Sequence, residues 1–289
     1  MTTKSKKAKP EGKVKKKKVK PIITVDPDEF TYDDDISEMG EIDFDSVVGM
    51  IEEIDDIPLY PKILIFGEQG TGKTTFLGTL PRPLLVLDCN ERGTMSIRGK
   101  GHKRIKVRNH QDLENIYWYL ATQKHPFKSL AIDTTTQMAD IVMAHVLRED
   151  GHEGIPHKGH WGGSTQLQKT LLIRFRNLPM PVAFAAQLKR LNEDDLEDDE
   201  KNKVPMMSPA VRAILGAAVD VIGYTYIKEV DSTVKGKLVT KYSYRMRIGP
   251  SSEILTKVRT IKEVKYPAVL EDPTFDRVFK ILQKTLKED

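Results

Sequence analysis

Cysteine is nearly missing from this chain: Cys89 is the one thiol among 289 residues. No internal disulfide can form, which fits a reducing compartment. Long apolar runs are missing as well. No stretch of 18 apolar residues occurs, and the N-terminus has no apolar signal region. Together these absences argue against a helical membrane span and a disulfide-stapled secreted fold, and the expectation is a cytoplasmic protein.

Basic residues are absent from 21–61, a stretch with fourteen Asp or Glu and no Lys or Arg. Acids are almost absent from 1–20, where ten Lys face Glu11 alone. The other 228 residues carry 36 basic and 27 acidic side chains, so the net charge of +4 conceals three blocks. A basic body suits a polyanionic partner, although charge argues solubility before identity. The length allows one domain of about 200–230 residues plus tails. The expected division is a disordered Lys-rich tail at 1–20, an acidic and largely disordered linker at 21–58, and a folded domain at 59–289.

What is present is concentrated in Lys62-Ile-Leu-Ile-Phe-Gly-Glu-Gln-Gly-Thr-Gly-Lys-Thr-Thr75. The apolar run Ile63–Phe66 reads as a buried strand leading into Gly67-x-x-x-x-Gly72-Lys73-Thr74, the phosphate-binding loop pattern. Backbone N–H groups along Gly67, Glu68, Gln69, Gly70, Thr71, Gly72, Lys73, Thr74 and Thr75 can wrap a phosphate only where glycine allows the turn and the close approach. A helix starting near Gly72 would add its positive end. Lys73 supplies a mobile charge for the β- and γ-phosphates, and the Thr74 hydroxyl suits Mg²⁺. The pattern implies a nucleoside triphosphate, taken as ATP, with Mg²⁺.

Apolar segments at Leu84–Leu87, Ser129–Asp133 and Pro181–Ala186 read as further strands, with a short edge strand at Arg104–Arg108. They alternate with helical patterns at 73–80, 111–121, 136–147 and 164–176. Residues 149–163 read as a Gly- and His-rich loop. A helix at 209–217, a hairpin of Val219–Ile227 with Tyr242–Ile248 turning at Gly236, and a helix at 275–286 complete the chain. Nearly all-apolar strands alternating with helices predict an α/β fold, a mostly parallel sheet covered on both faces. Ligands then sit beyond the carboxyl ends of the strands. Asp133, ending one strand, suits the second Mg²⁺ anchor opposite Thr74, or else a helix cap before Thr134. Thr134 occupies the place where a water-activating Glu would follow, so Glu91 is the favoured base, with Asp88 next and turn capping the bland alternative. Gln187 ends a neighbouring strand, where an amide can sense the γ-phosphate. A switch GTPase would need Asn-Lys-x-Asp, and Asn202-Lys203-Val204-Pro205 fails at its last position. A nucleotide kinase would need an Arg-rich lid segment, which is not evident.

The order of phosphate loop, acids at Asp88 to Glu91, Asp133 and Gln187 resembles the RecA-like recombination ATPases. Leu84-Leu-Val-Leu-Asp, Ser129-Leu-Ala-Ile-Asp-Thr, Trp161-Gly162 and Pro179-Met-Pro-Val-Ala-Phe-Ala-Ala-Gln look like the phage-encoded RecA-like P-loop ATPases that assist single-strand annealing. That resemblance spans roughly 60–285. It implies a RecA-like P-loop core with a C-terminal hairpin and helix, and a homo-oligomer with nucleotide at subunit interfaces. It further implies single-stranded DNA and recombination or replication proteins as partners, in the cytoplasm of a bacterial host. It also implies that Lys257-Val-Arg259 reaches a neighbouring subunit's γ-phosphate, although Lys-x-Arg alone reads as a solvated strand face. Two DNA-binding loops would fall at 149–163, with Trp161 for stacking, and at 188–207. Seven acids among the eight residues 193–200 would repel phosphates in the second. The loop histidines His152, His157 and His160 lack cysteine partners and regular metal-ligand spacing. A rival from another class is a nucleotide-dependent assembly module with slow turnover and no direct DNA binding.

Overall fold

Alternation along β1 (Lys62–Gly67) explains how one strand serves two cores. Leu64 and Phe66 point into one buried cluster, and Ile63 and Ile65 point into another, all fully buried. The structure is a computed structural model in which residues 48–53, 57–89, 93–192, 201–234, 237–260 and 265–286 are described. The chain divides into two units, Met1–Ile57 and Pro58–Asp289, and every element below belongs to the second. The Lys-rich head, most of the acidic stretch, Glu91, the loop 193–200 and the Gly236 turn lie outside the described residues.

Six strands lie parallel, in the spatial order β7 (Val221–Val234), β1, β5 (Val182–Arg190), β4 (Ser129–Asp133), β2 (Leu84–Asp88) and β3 (Lys103–Lys106). Beyond β7 the sheet continues antiparallel through β8 (Lys237–Arg247) and β10 (Val269–Glu271). Two short strands attach at the sides: β6 (Lys203–Pro205) on β5 and β9 (Lys257–Val258) on β7, both antiparallel.

Helices cover both faces, as the apolar strands require. One face is covered by α2 (His110–Thr122), α3 (Thr135–Glu149), α4 (Lys158–Arg176) and α5 (Pro209–Ala218), through Leu113, Val142, Phe175 and Leu215. The other is covered by α1 (Lys73–Leu77) and α6 (Phe275–Leu286), through Phe76, Leu77 and Val278. Side chains start the helices: Asn109 accepts from the Asp112 N–H at 2.9 Å, and Ser208 caps α5 with Pro209 behind it. The mixed α/β fold with a mostly parallel sheet is therefore the one expected.

Several boundaries differ: the hairpin strands run longer than expected, to Val234 and from Lys237, and two helices are shifted. Helix α1 ends at Leu77, because Gly78 closes it and Pro81 and Pro83 follow. Helix α4 starts at Lys158 and not at Ser164, so the His-rich loop is shorter than expected. His157 and His160 make a reciprocal cap there: the Gly159 N–H donates to His157 Nδ1, and the His157 N–H donates to His160 Nδ1, each at 3.2 Å. That cap carries the helix through Gly159, Gly162 and Gly163.

Candidate functional site

Register decides what meets at the carboxyl end of the sheet. Gly67 lies beside Gln187 on one side and Thr225 on the other, and Asp88 lies beside Asp133. Strand β5 separates the phosphate-loop strand from the Asp133 strand, leaving a gap of about 10 Å at ordinary strand spacing. The phosphate loop arches over that gap.

The loop needs its glycines. A Cβ on Gly67 would fall 2.3 Å from the Thr225 carbonyl oxygen, and Gly72 turns into α1 with φ of 89°. Thr71 ties the turn by donating to the Glu68 carbonyl at 2.8 Å, and its hydroxyl meets that of Thr225 at 2.8 Å. The Lys73 side chain folds back under the loop. Its ammonium donates to the carbonyls of Gly67 (2.9 Å) and Glu68 (2.7 Å) and to Gln187 Oε1 (3.3 Å). Gln187 is itself held, since its backbone N–H donates to Thr136 Oγ1 at 3.0 Å.

Thr74 Oγ1 donates to Asp133 Oδ2 at 2.8 Å, and Asp133 is almost fully buried. Gly93 stands over the pair. A Cβ there would lie 2.9 Å from both oxygens, so the absence of a side chain keeps the space in front of them open. A hydroxyl beside a carboxylate, with room in front, is a hard oxygen donor set of the kind Mg²⁺ takes when it keeps most of its waters. The residues present fit the ion.

These groups line one cleft of about 580 Å³, together with Gln69, Gly70, Thr75, Gln137 and Tyr244. Gln137 from α3 and Tyr244 from β8 escaped the sequence reading. Gln137 accepts a hydrogen bond from Thr134, the cap residue of α3, a spacing legible only once the helix start is known. Tyr244 arrives from a strand far along the chain and carries no local signal. Beside Gly72 the cleft adjoins a smaller pocket of about 190 Å³ between Tyr244 and Pro273.

Other expected site residues sit elsewhere. Asp88 is buried, but its carboxylate pairs with Arg104 Nε of β3 at 2.9 Å and is not among the residues lining the cleft. Glu91 falls outside the described residues. Lys257 and Arg259 lie at β9, beside the opening residues of β7 at the opposite end of the sheet. Lys257 Nζ donates to the carbonyls of Gly216 and Ala217, both at 2.9 Å, and Arg259 donates to Ala217 at 3.2 Å. Two cations on the last carbonyls of α5 form a helix C-cap. Burial, then the Arg259 charge, lowers the Lys257 pKa, and nearby Asp220 opposes the shift.

Asp150, His157 and His160 converge with ligand atoms within 4.8 Å of one another. Their hydrogen bonds oppose metal binding. Each Nδ1 accepts a backbone N–H, so the proton belongs on Nε2, which in His160 faces Asp150 Oδ2 at 2.7 Å. A metal would need that Nε2 lone pair and would leave an Nδ1 proton pointing at a donor. The His160 bond instead holds the Asp150 carboxyl below its usual pKa. Trp161, expected in a loop, lies in the first turn of α4 and is exposed. Among the described residues no helix is long and apolar enough to cross a membrane.

Comparison with known proteins places this geometry. Residues 59–260 match the family model described as AAA domain. No curated protein matches. Among solved structures, a prototypical ATPase of the type III secretion system of pathogenic bacteria is similar at 14% identity, covering 57% of this chain and 52% of that one, with a TM-score of 0.33. The P4 protein of bacteriophage phi6 in complex with ADP is similar at 11% identity over 62% and 57% of the two chains, with a TM-score of 0.28. The DotB ATPase of Legionella pneumophila follows at 8% identity over 69% and 50%, with a TM-score of 0.27. This chain spans about half the length of each, and likenesses so low add nothing to the assignment. The family match over most of the chain, on a phosphate loop opposed by a buried acid, does carry it: the chain belongs to the AAA domain family and is a P-loop ATPase.

Proposed function

We propose that the chain is a Mg-ATP-hydrolysing ATPase of RecA-like type that acts on single-stranded DNA in recombination or replication. It works as a homo-oligomer with nucleotide at the subunit interfaces. One observation carries the nucleotide half of this reading: Lys73 with Gln187 and Thr74 with Asp133 converge on one cleft at the carboxyl end of the sheet. In it Lys73 leaves its carbonyls for the β- and γ-phosphates, and the loop N–H groups hold the same oxygens. Mg²⁺ would be held by Thr74 and, through its water shell, by Asp133, and would neutralise charge on the phosphates. Gln187, bonded to the Lys73 ammonium, feels the γ-phosphate and passes its presence along β5. The base stacks on Tyr244 in the pocket next to Gly72. The Lys-rich tail (1–20) and acidic linker (21–58) precede the ATPase domain (59–289).

The DNA role, the phage origin, the host cytoplasm and a trans role for Lys257 and Arg259 rest on the resemblance. The capping bonds of Lys257 and Arg259 support a structural part for both.

A slow nucleotide-dependent assembly module is the second reading, and one feature favours it. Among the described residues lining the cleft, Asp133 is the one carboxylate, and Asp88 is committed to Arg104. Glu91 is then left as the proposed water-positioning base. Single-turnover hydrolysis of ATP with Mg²⁺, measured with and without single-stranded DNA, separates the two. Strong stimulation by DNA supports the first reading, and indifference to DNA supports the second.

A further inference from the structure

The antiparallel ribbon of β7 and β8 outruns the parallel sheet. Pairing of β7 with β1 stops at Thr225, whereas pairing with β8 runs on from Tyr224–Arg247 past Asp231–Thr240. Alternation along each strand and direct pairing across the ribbon sort its side chains onto two faces. One face carries Glu229 and Asp231 and has no basic residue over 225–231 and 240–246. On it Thr225 and Tyr244 meet the phosphate loop. The other face carries Tyr224, Tyr226, Lys228, Lys241, Arg245 and Arg247, and no acid of the ribbon.

That second face has the chemistry of a single-strand platform. Tyr224 and Tyr226 stack with ring centroids 5.7 Å apart and planes 13° apart, and Phe66 backs Tyr224 at 5.4 Å. Lys228 and Lys241 are exposed. Arg245 pairs with Glu271 of β10, and Arg247 donates to the Pro250 carbonyl at 2.9 Å. At the ribbon's base a groove of about 440 Å³ has Tyr224, Tyr226 and Arg247 on one side and Glu68 and Gln69 of the phosphate loop on the other. Arg190 pairs with Glu68. Tolerant stacking on parallel phenol rings, flanked by cations that recur on one strand face, fits unpaired bases on a phosphate backbone. A duplex hides its base faces, and an acidic peptide has no use for the rings.

We propose that this basic, tyrosine-bearing face of the β7–β8 ribbon holds single-stranded nucleic acid and lays it against the back of the phosphate loop. The inference rests on the proposed action on single-stranded DNA and names a surface outside the loop 149–163, bordered by Arg190 of the stretch 188–207 through its pair with Glu68.

The test uses the full chain and a fluorescein-labelled oligothymidylate, read by anisotropy over a range of salt. The double variant Lys228→Glu with Lys241→Glu should weaken binding about tenfold and flatten the salt dependence, and Tyr226→Ala should weaken it about fivefold or more. Lys124→Glu with Lys128→Glu, exposed before β4, should bind like the parent, and ATP hydrolysis without DNA should stay within about twofold in all three variants. Photocrosslinking to bromodeoxyuridine-substituted oligonucleotide should give adducts on the peptide bearing Tyr224 and Tyr226. Parental affinity in the ribbon variants, or adducts confined to 1–20, would overturn the surface and leave the DNA reading intact. An unaltered chain that binds no oligonucleotide at any salt would remove the DNA reading and this inference together. Polyglutamate binding as tightly as oligothymidylate, unaffected by Tyr226→Ala, would overturn the stacking platform.

Discussion

Two buried lysines bracket the first strand of the sheet, and they do opposite things. Lys62 opens β1 and Lys73 follows its end, and each is under a tenth exposed, at 8% and 7%. Each ammonium donates to main-chain carbonyls: Lys62 to Leu178 (2.7 Å) and Met180 (2.6 Å), Lys73 to Gly67 and Glu68. At the Lys62 end the neighbours are structural. Arg176 donates to Ala218, Asp220 accepts from the Lys62 backbone N–H, and Lys257 and Arg259 close α5. Burial, then the Arg176 charge, depress the Lys62 pKa to about 8, with Asp220 opposing them. At the Lys73 end the neighbours are an amide, a hydroxyl and a carboxylate around open space. Burial and carbonyl partners are therefore common to both. What marks Lys73 as the proposed phosphate ligand is the open volume beside it, lined by groups that suit a phosphate and its cation.

The sharpest way to break this comparison is to remove each lysine in turn. Lys73→Ala should lower phosphate release at saturating ATP by about a hundredfold or more, as loss of a preorganised charge at the transferred phosphoryl does. Its urea midpoint should fall less than that of a variant at the Lys62 end, because water in the open cleft can replace the ammonium at the Gly67 and Glu68 carbonyls. Turnover at the parental rate would void the distinction between the two ends. Asp133→Asn comes next, with a loss of about a hundredfold and a shifted Mg²⁺ requirement, followed by titrating the ion against phosphate release. An unchanged Mg²⁺ profile would reduce Asp133 to a structural partner of Thr74, since Thr134 is itself the cap of α3.

The Lys73 end was legible in sequence because its parts are local. A run of apolar residues ending in a glycine-rich turn, and acids or amides directly after other such runs, declare strand ends without reference to the rest of the chain. The Lys62 end was not legible. Its bonds join residues more than a hundred positions apart, and nothing near Lys257 announces that α5 ends beside it. The same limit hid Tyr244 from the cleft and turned Asp88 from a possible base into the partner of Arg104. The early start of α4 was missed for a local reason, since the cap by His157 and His160 outweighs three glycines that read as loop.

Replacing Lys62 probes the closed end, with a smaller effect. Lys62→Met should lower unfolding free energy by about 1–3 kcal/mol, because the Leu178 and Met180 carbonyls lose their donor, and leave turnover alone. The pH dependence has a definite sign. The folded pKa of about 8 lies below the ordinary 10.5, so between these values the unfolded chain binds more protons and stability rises with pH. Below pH 8 the cost of the buried charge is fully present. Urea midpoints of parent and variant should accordingly diverge between about pH 8 and 10, and parallel profiles would contradict a depressed Lys62.

The smallest expected effect carries the most discrimination. Lys257→Ala removes one of two cations from the α5 carboxyl terminus, where Arg259 still donates to Ala217, so stability should fall by about 0.5–1 kcal/mol. As a capping residue at the far end of the sheet from its own phosphate loop, it should leave hydrolysis per subunit unaltered at any protein concentration. As a charge delivered to a neighbour's γ-phosphate, it would cost hydrolysis a hundredfold or more, and the loss would persist after full assembly. Mixing Lys257→Ala with Lys73→Ala subunits separates the cases. A trans-acting group and a cis-acting loop complement at mixed interfaces and restore turnover, whereas a helix cap leaves only the activity of the Lys257→Ala subunits, diluted in proportion.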